Sequence, residues 1–259
     1  MEMLKEDEFN KVLPILNQNK TSPTFAYSII ERIISGMVFV DNSDCPKTAL
    51  IGTKIGIYFI AGHERNSDFN RSFRDFYEEE IGDRFTLFSA TEEWDHIICN
   101  LFKDEISQMD RYSYTFNKKK YLSNVIDIPK DYHVKMTDKD IIENSPEFNK
   151  DYYKQYWGSV SNFLANGIGV SALYKGRIVS ECTSIFRSNS FVEIDIATQT
   201  EFTGKGLAYI LGKAFIDKCL EKGLIPNWDC DVANIASRKL AEKLGFECPI
   251  KYSIFVRRR

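Results

Sequence analysis

A chain of 259 residues is long for one hydrophobic core and comfortable for two small ones. Its formal net charge of −3 provides no basic field to attract nucleic acid, so no nucleic-acid partner is expected. The first eleven residues are acidic and lack an apolar core, so no secretory leader is expected; no run reaches the ~18 apolar residues of a membrane span, so no membrane partner is expected either. Six cysteines (Cys45, Cys99, Cys182, Cys219, Cys230 and Cys248) lack CxxC spacing, which suits reduced thiols in a cytoplasmic protein. His63, His96 and His133 stand apart from one another, so no metal is expected.

In chain order, Ser22 as N-cap, Pro23 at the first helical position and Gly36 as a stop predict a helix over 23–35. Its inward face carries Phe25, Ile29, Ile30, Ile33 and Ile34. Extended runs follow at 37–41, 48–52 and 55–61, separated by turn-forming residues. A helix over 68–80 and a strand over 84–87 come next, and Ser89 with Glu92 forms a capping box for a helix reaching Phe102. Residues 1–116 thus read as a smaller α+β domain without recognisable chemistry. Glu78-Glu79-Glu80 reads as a solvated helix end. Lys118-Lys119-Lys120 and Arg257-Arg258-Arg259 read as solvated basic runs. The polar stretch 117–130 reads as a linker.

Residues 131–259 alternate differently. An edge strand over 132–136 precedes helical pieces at 138–143 and 150–166. A hairpin over 169–186 turns at Lys175-Gly176. A strand over 191–198 leads into a glycine loop. A helix over 207–220 presents Leu207, Ile210, Leu211, Ala214 and Phe215 on one face and stops before Gly223 and Pro226. A strand over 227–232, a helix over 234–244 and a strand over 252–256 complete the chain. No internal repeat is visible in the sequence.

The loop Thr203-Gly204-Lys205-Gly206-Leu207-Ala208 joins a strand to a helix. Small residues there let the backbone approach a ligand, and the helix start leaves N–H groups and the positive dipole end facing outward. Such a site favours a phosphate or pyrophosphate, although glycines serving a tight turn alone would look the same. A P-loop is excluded, because no Gly-x-x-x-x-Gly-Lys-Ser/Thr string occurs. A dinucleotide fingerprint fails because Tyr209 occupies its third small position.

Gly206-Leu207-Ala208 matches the second half of the Arg/Gln-x-x-Gly-x-Gly/Ala loop of the GNAT superfamily, with Thr203 where Arg or Gln is usual. About thirty residues on, Asn234-Ile235-Ala236-Ser237-Arg238-Lys239-Leu240-Ala241-Glu242-Lys243-Leu244-Gly245-Phe246 resembles that family's Asn-x-x-Ser/Ala-x-x-Leu-Tyr-x-Lys-x-Gly-Phe helix, with Ala241 in place of Tyr. These phrases, with Trp228-Asp229-Cys230, look most like the branch containing the zwittermicin-resistance acetyltransferases. The resemblance is strong over residues 168–256. It implies a GNAT-like twisted mixed sheet flanked by helices, an α+β (mixed α/β) protein overall, and acetyl-CoA as co-substrate. It also implies that Thr203 to Ala208 hold the pyrophosphate and that Ile196, Ala197 and Thr198 meet the pantetheine arm through their main chain. Asn234 and Ser237 then lie along the same arm. Asn234 serves equally well as an N-cap.

Acetyl transfer to an amine needs the amine neutral, because an ammonium has no lone pair. Period-two alternation places Glu193 and Asp195 on one face of their strand, with Val192, Ile194 and Ile196 on the other. Either carboxylate is a candidate general base; the alternatives are a solvent-facing role or binding of a cationic substrate. Cys230 has no histidine nearby in sequence to activate it, and Ala241 cannot protonate a departing thiolate. The expected activity is transfer of acetyl to a primary amine of a small molecule. A non-catalytic acyl-CoA sensor and a protein-modifying enzyme stay open as alternatives, and the oligomeric state is not set by the sequence.

Overall fold

A computed structural model describes residues 1–79, 82, 84–121 and 130–258. The chain divides into two compact units, Met1–Ser113 with Ile250–Arg259, and Tyr114–Pro249. Most of the expected linker (residues 122–129), Glu80 of the acidic run and Arg259 of the tail lie outside the described residues. The sequence reading gave residues 131–259 to one domain, whereas the contacts place Ile250–Arg259 in the first unit.

The first unit opens with β1 (Glu2–Met3), a 3-10 segment, α1 (Leu13–Gln18) and α2 (Thr24–Ile30). Then come β2 (Gly36–Val40), β3 (Thr48–Thr53), β4 (Ile57–Gly62), α3 (Ser67–Glu79), β5 (Thr86–Ser89), α4 (Glu92–Phe102) and β6 (Ile106–Phe116). Neighbouring strands β1 through β4 pair antiparallel, and β4 pairs parallel with β5. The last strand of the chain, β12 (Phe246–Arg257), pairs antiparallel with β5 through Ile254, Phe255 and Val256. α3 and α4 bury Phe69, Phe73, Tyr77, Trp94, Ile98 and Phe102 against Leu50, Tyr58, Ile60 and Leu87. Each such side chain contributes about 1.5–3 kcal/mol on leaving water.

The second unit contains β7 (Tyr132–Met136), α5 (Lys139–Asn144), α6 (Lys150–Trp157), α7 (Val160–Asn166), β8 (Gly169–Tyr174), β9 (Arg177–Arg187) and β10 (Phe191–Thr198). α8 (Leu207–Glu221), β11 (Ile225–Asp231) and α9 (Ile235–Lys243) follow. β7, β8, β9 and β10 pair antiparallel in sequence, and β10 pairs parallel with β11. α8 packs on β8, β9, β10 and β11. Both units are mixed sheets flanked by helices, as the expected α+β class requires.

Residues 2–116 and 132–257 run through one element order, strand, helices, three antiparallel strands, helix, parallel strand, helix, strand, with the last strand of the second run, β12, pairing in the first unit. The sequence carries no trace of this repeat. A repeat of element order needs only the same succession of helical and strand periods, which many unrelated sequences satisfy.

Several predicted boundaries move for local reasons. The helix expected over 23–35 stops at Ile30, because Arg32 takes a positive φ of 59° and Ile33 N–H bonds back to Ser28. Ser22 does not cap it; its hydroxyl donates to the Leu16 carbonyl. The cap of α4 is Thr91, which accepts from Trp94 N–H, whereas Ser89 lies in β5 and bonds Asp95. The helix expected over 150–166 is two, broken at Gly158 (φ 73°) and restarted by Ser159 accepting from Asn162 N–H.

Candidate active site

β10 is the strand on which the site is built. It pairs with β9 from Val192↔Arg187 to Thr198↔Ser180, with a shift of register between Glu193 and Ile194. Against β11 it pairs only at Phe191↔Ile225, Val192↔Pro226 and Glu193↔Asn227. Beyond Glu193 the parallel strands part; at the same level β9 carries one extra residue, Ile185, opposite the Glu193–Ile194 step of β10. On that side the main chain of Ile196 and Thr198 has no β11 pair among the described residues, while the Ala197 carbonyl accepts from the Ser180 hydroxyl of β9 at 3.1 Å. Backbone groups in that position need another partner, which an amide-bearing arm can supply. The Thr198 hydroxyl is engaged elsewhere, 2.8 Å from the Ser180 hydroxyl.

The loop after β10 forms one 3-10 turn, closed by Thr203 Oγ1 donating to the Thr200 carbonyl at 2.8 Å. Gly204 and Gly206 have φ of 75° and 79°, and a Cβ at either would meet nothing within 4 Å. Glycine is required here for conformation, not for lack of space. Gly206 is the N-cap of α8, no side chain caps the helix, and the first intrahelical bond runs from Ile210 N–H to the Gly206 carbonyl at 3.1 Å. Leu207 is buried and anchors the first turn, Ala208 is half-buried, and Thr203, Gly204, Lys205 and Gly206 are exposed. The Lys205 ammonium lies 4.4 Å from the Phe202 ring centroid. The result is an uncapped helix start with a cation beside it, a geometry that receives an anion.

α9 begins at Asn234, whose Oδ1 accepts from Ser237 N–H at 3.0 Å. The Ser237 hydroxyl accepts from the Trp228 indole at 3.0 Å. Both residues thus have local structural partners at the start of this helix. Ala241 on α9 and Cys230 on β11 are both buried.

Register assigns the faces of the sheet. Asp195 lies opposite Thr183, and the hydroxyl of Thr183 is 3.0 Å from that of Tyr153 on α6. Tyr152, the neighbouring residue on α6, donates its hydroxyl to Asp195 Oδ2 at 2.8 Å. Glu193 lies opposite Phe186, which meets Tyr156 edge-on at 5.7 Å. Both candidate bases therefore face α6, as the alternation predicts. Cys182, between Glu181 and Thr183, points the other way, towards Cys219 of α8. Burial pushes the Cys219 thiol up to about 12, so it stays protonated.

Two residues of this face were not singled out from the sequence. Burial and the Asp195 carboxylate hold the Tyr152 phenol well above its ordinary range, so it stays a neutral donor. Glu181 on β9 is only 3% exposed, and burial raises its carboxyl. A glutamate inside the run Ile178-Val179-Ser180-Glu181-Cys182-Thr183 was the available signal.

The topological counterpart in the first unit is closed. β4 and β5 pair without interruption from Ile57↔Thr86 to Ile60↔Ser89, and Ala90 N–H continues to the Ile60 carbonyl. At the start of α3, Phe69 N–H is taken by Asn66 Oδ1 at 3.1 Å. Among the described residues, no group of three or more His, Cys, Asp or Glu side chains is arranged to hold a metal ion. No helix of the described residues is long and apolar enough to cross a membrane.

A mixed sheet whose parallel pair parts beside an uncapped helix start offers an open strand edge and an anion site on one ligand path, and the comparisons with known proteins say which family carries it. The family described as GNAT acetyltransferase matches residues 14–255. A protein of Bacillus subtilis, named the uncharacterized N-acetyltransferase YdfB, is 42% identical over 245 residues, covering 94% of both chains. The crystal structure of a GCN5-related N-acetyltransferase-like protein from Streptococcus suis superposes with a TM-score of 0.75 at 26% identity, covering 97% of this chain and 99% of that one. A tandem GNAT protein from the clavulanic acid biosynthesis pathway shares the fold, with a TM-score of 0.64 at 10% identity over 98% and 97% of the two chains. The chain belongs to the GNAT acetyltransferase family.

Proposed function

We propose that this protein transfers acetyl from acetyl-CoA to a primary amine of a small molecule, in the cytoplasm, at the site on β10 and α8. The observation that carries the reading is the parting of β10 and β11 after Glu193↔Asn227, directly before the uncapped start of α8. Those features fit the two ends of such a donor. The N–H groups from Gly204 to Ala208 and the Lys205 ammonium would take the pyrophosphate. The main chain of Ile196, Ala197 and Thr198, along the edge that β11 leaves open, would take the amide-bearing arm, with Asn234 and Ser237 beside it. The donor supplies an activated thioester.

The chain's own residues then handle the amine. Asp195, on the face turned to α6, accepts the proton that an ammonium must lose before its nitrogen can attack. Glu193, on the same face, draws the cation in or takes the proton in its place. Tyr152 keeps Asp195 oriented. Ala241 has no proton to give, so a departing thiolate takes one from water or from the protonated amine adduct; a thiol pKa of about 8.5 makes this undemanding. A likeness in the loop and last-helix motifs supports kinship with the zwittermicin-resistance branch.

The test is a thermal shift with acetyl-CoA followed by thiol release with a panel of amines. The wild type should show both. Gly206→Glu, which puts a carboxylate where the pyrophosphate would lie, should show neither. Binding without thiol release from any metabolite would favour a sensor, and release with peptides alone would favour a protein substrate. No shift at millimolar acetyl-CoA would overturn the cofactor assignment.

A further inference from the structure

Glu181 lies on β9 at the register position of Ala197, yet it is buried to 3% exposure. A carboxylate that leaves water costs several kcal/mol unless donors replace its hydration. Its hydrogen-bond donor is the Ser145 hydroxyl at 2.9 Å, and the backbone N–H groups of Glu147 and Phe148, in the same short segment, also favour its charged form. That segment joins α5 to α6. Ser145, itself buried, ends α5, and Asn149 caps α6 by accepting from the N–H groups of Asp151 and Tyr152.

The same turn also determines where Tyr152 stands. The Phe148 ring lies 4.7 Å from that of Tyr152, and Tyr152 reaches Asp195 at 2.8 Å. A helix of two turns has little stability of its own, so its position is set by its contacts at the ends and along one face. We infer that Glu181 is a positioning residue for acetyl transfer: by clamping the Ser145–Phe148 turn it fixes the start of α6 and so holds Tyr152 on Asp195. This rests on the reading that Asp195 handles the amine, but the clamp is a property of the fold and can be measured without substrate.

Amide hydrogen exchange of the full-length protein, followed by mass spectrometry over residues 144–158, is the first measurement. Glu181→Ala should speed exchange at least tenfold both in the turn and in α6. Glu181→Gln, which keeps an acceptor oxygen for the backbone donors, should stay near wild type. Ser145→Ala, which removes one donor, should speed exchange in the same segment by a smaller factor and substitutes if the alanine variant at 181 does not fold.

Turnover of the best amine from the panel is the second measurement. Glu181→Ala should lower kcat at least tenfold with acetyl-CoA affinity unchanged, Glu181→Gln should restore most of it, and in a Tyr152→Phe background Glu181→Ala should cost less than threefold more. Faster exchange confined to 145–148, or full additivity with Tyr152→Phe, would overturn the inference. If the wild type turns over no amine, the functional reading fails while the exchange result still decides the clamp.

Discussion

Tyr152 on α6 donates its hydroxyl to Asp195 on β10 at 2.8 Å, which joins a helix of the second unit to the strand that leads into the loop before α8. A phenol hydrogen bond stabilises the ionised carboxylate, so removing it raises the proton affinity of Asp195. Tyr152→Phe should move the acidic limb of the kcat/KM profile to higher pH. A pH titration of turnover against the wild type checks this; an unmoved limb would take Asp195 out of the proton transfer.

The two carboxylates of β10 face the same way, but only Asp195 is seen to accept from Tyr152. Asp195→Asn should lower turnover on the order of a hundredfold and leave acetyl-CoA binding nearly unchanged. Glu193→Gln should act mainly on the amine KM. Recovery of the Asp195→Asn variant at high pH, where the amine deprotonates unaided, would assign the lost step to proton removal.

In the second unit β10 and β11 part after three pairs, whereas in the first β4 and β5 stay paired and the start of α3 is capped by Asn66. Calorimetry should therefore find one acetyl-CoA per chain. Gly206→Glu should abolish that binding completely, leaving no second, weaker site. Gly206→Ala is the milder probe: at φ 79° a side chain costs about 1–2 kcal/mol, and its Cβ meets open space, so the variant should fold with a lower Tm. A residual isotherm in the glutamate variant would place a second donor site in the protein.

The course of the chain through its second half was legible because period, caps and turns agree there. Alternation gave the faces of Glu193 and Asp195, Gly204 and Gly206 marked the loop, and Asn234 marked the start of α9. The structure differs where a tertiary contact outbids a local signal, as when Ser89 bonds Asp95 and leaves the cap to Thr91. β6 went unread because Ile106-Ser107-Gln108-Met109-Asp110-Arg111 is polar at most positions, being largely half-buried or exposed. The repeat was hidden because it is one of element order and not of residue identity. Tyr152 and Glu181 lie outside the familiar motifs, and only the fold brings them beside Asp195 and the Ser145–Phe148 turn.

Lys213 on α8 is buried to 8% exposure, with its ammonium 3.1 Å from the Tyr121 hydroxyl and 3.2 Å from Asp217 Oδ2. The Tyr121 hydroxyl in turn donates to Asp217 Oδ1 at 2.7 Å, and burial with this carboxylate pushes its phenol up. Tyr121→Phe leaves a buried cation with one partner fewer, which costs about 1–3 kcal/mol. The Tm should fall by several degrees while acetyl-CoA still raises it, since the loop at the other end of α8 is untouched. Loss of the ligand-induced shift would mean that this cluster also sets the anion cradle.

The buried Glu181 carboxyl gives stability a distinctive pH dependence. Its pKa in the folded protein is raised, burial being the first cause, with the Ser145 hydroxyl and the backbone N–H groups opposing it. A group whose folded pKa lies above its unfolded value binds more protons when folded, so its favourable contribution is present below the unfolded value, near 4.5, and is lost as pH rises through the raised folded one. Glu181→Gln has no charge to bury and keeps an acceptor for the turn. Its Tm should therefore exceed that of the wild type at pH 7–8, with the difference shrinking as pH falls towards 4.5. Thermal melts of both proteins across this range give the comparison. A variant less stable than the wild type at neutral pH, with the gap closing in acid, would show that the ionised carboxylate stabilises the turn by more than its burial costs.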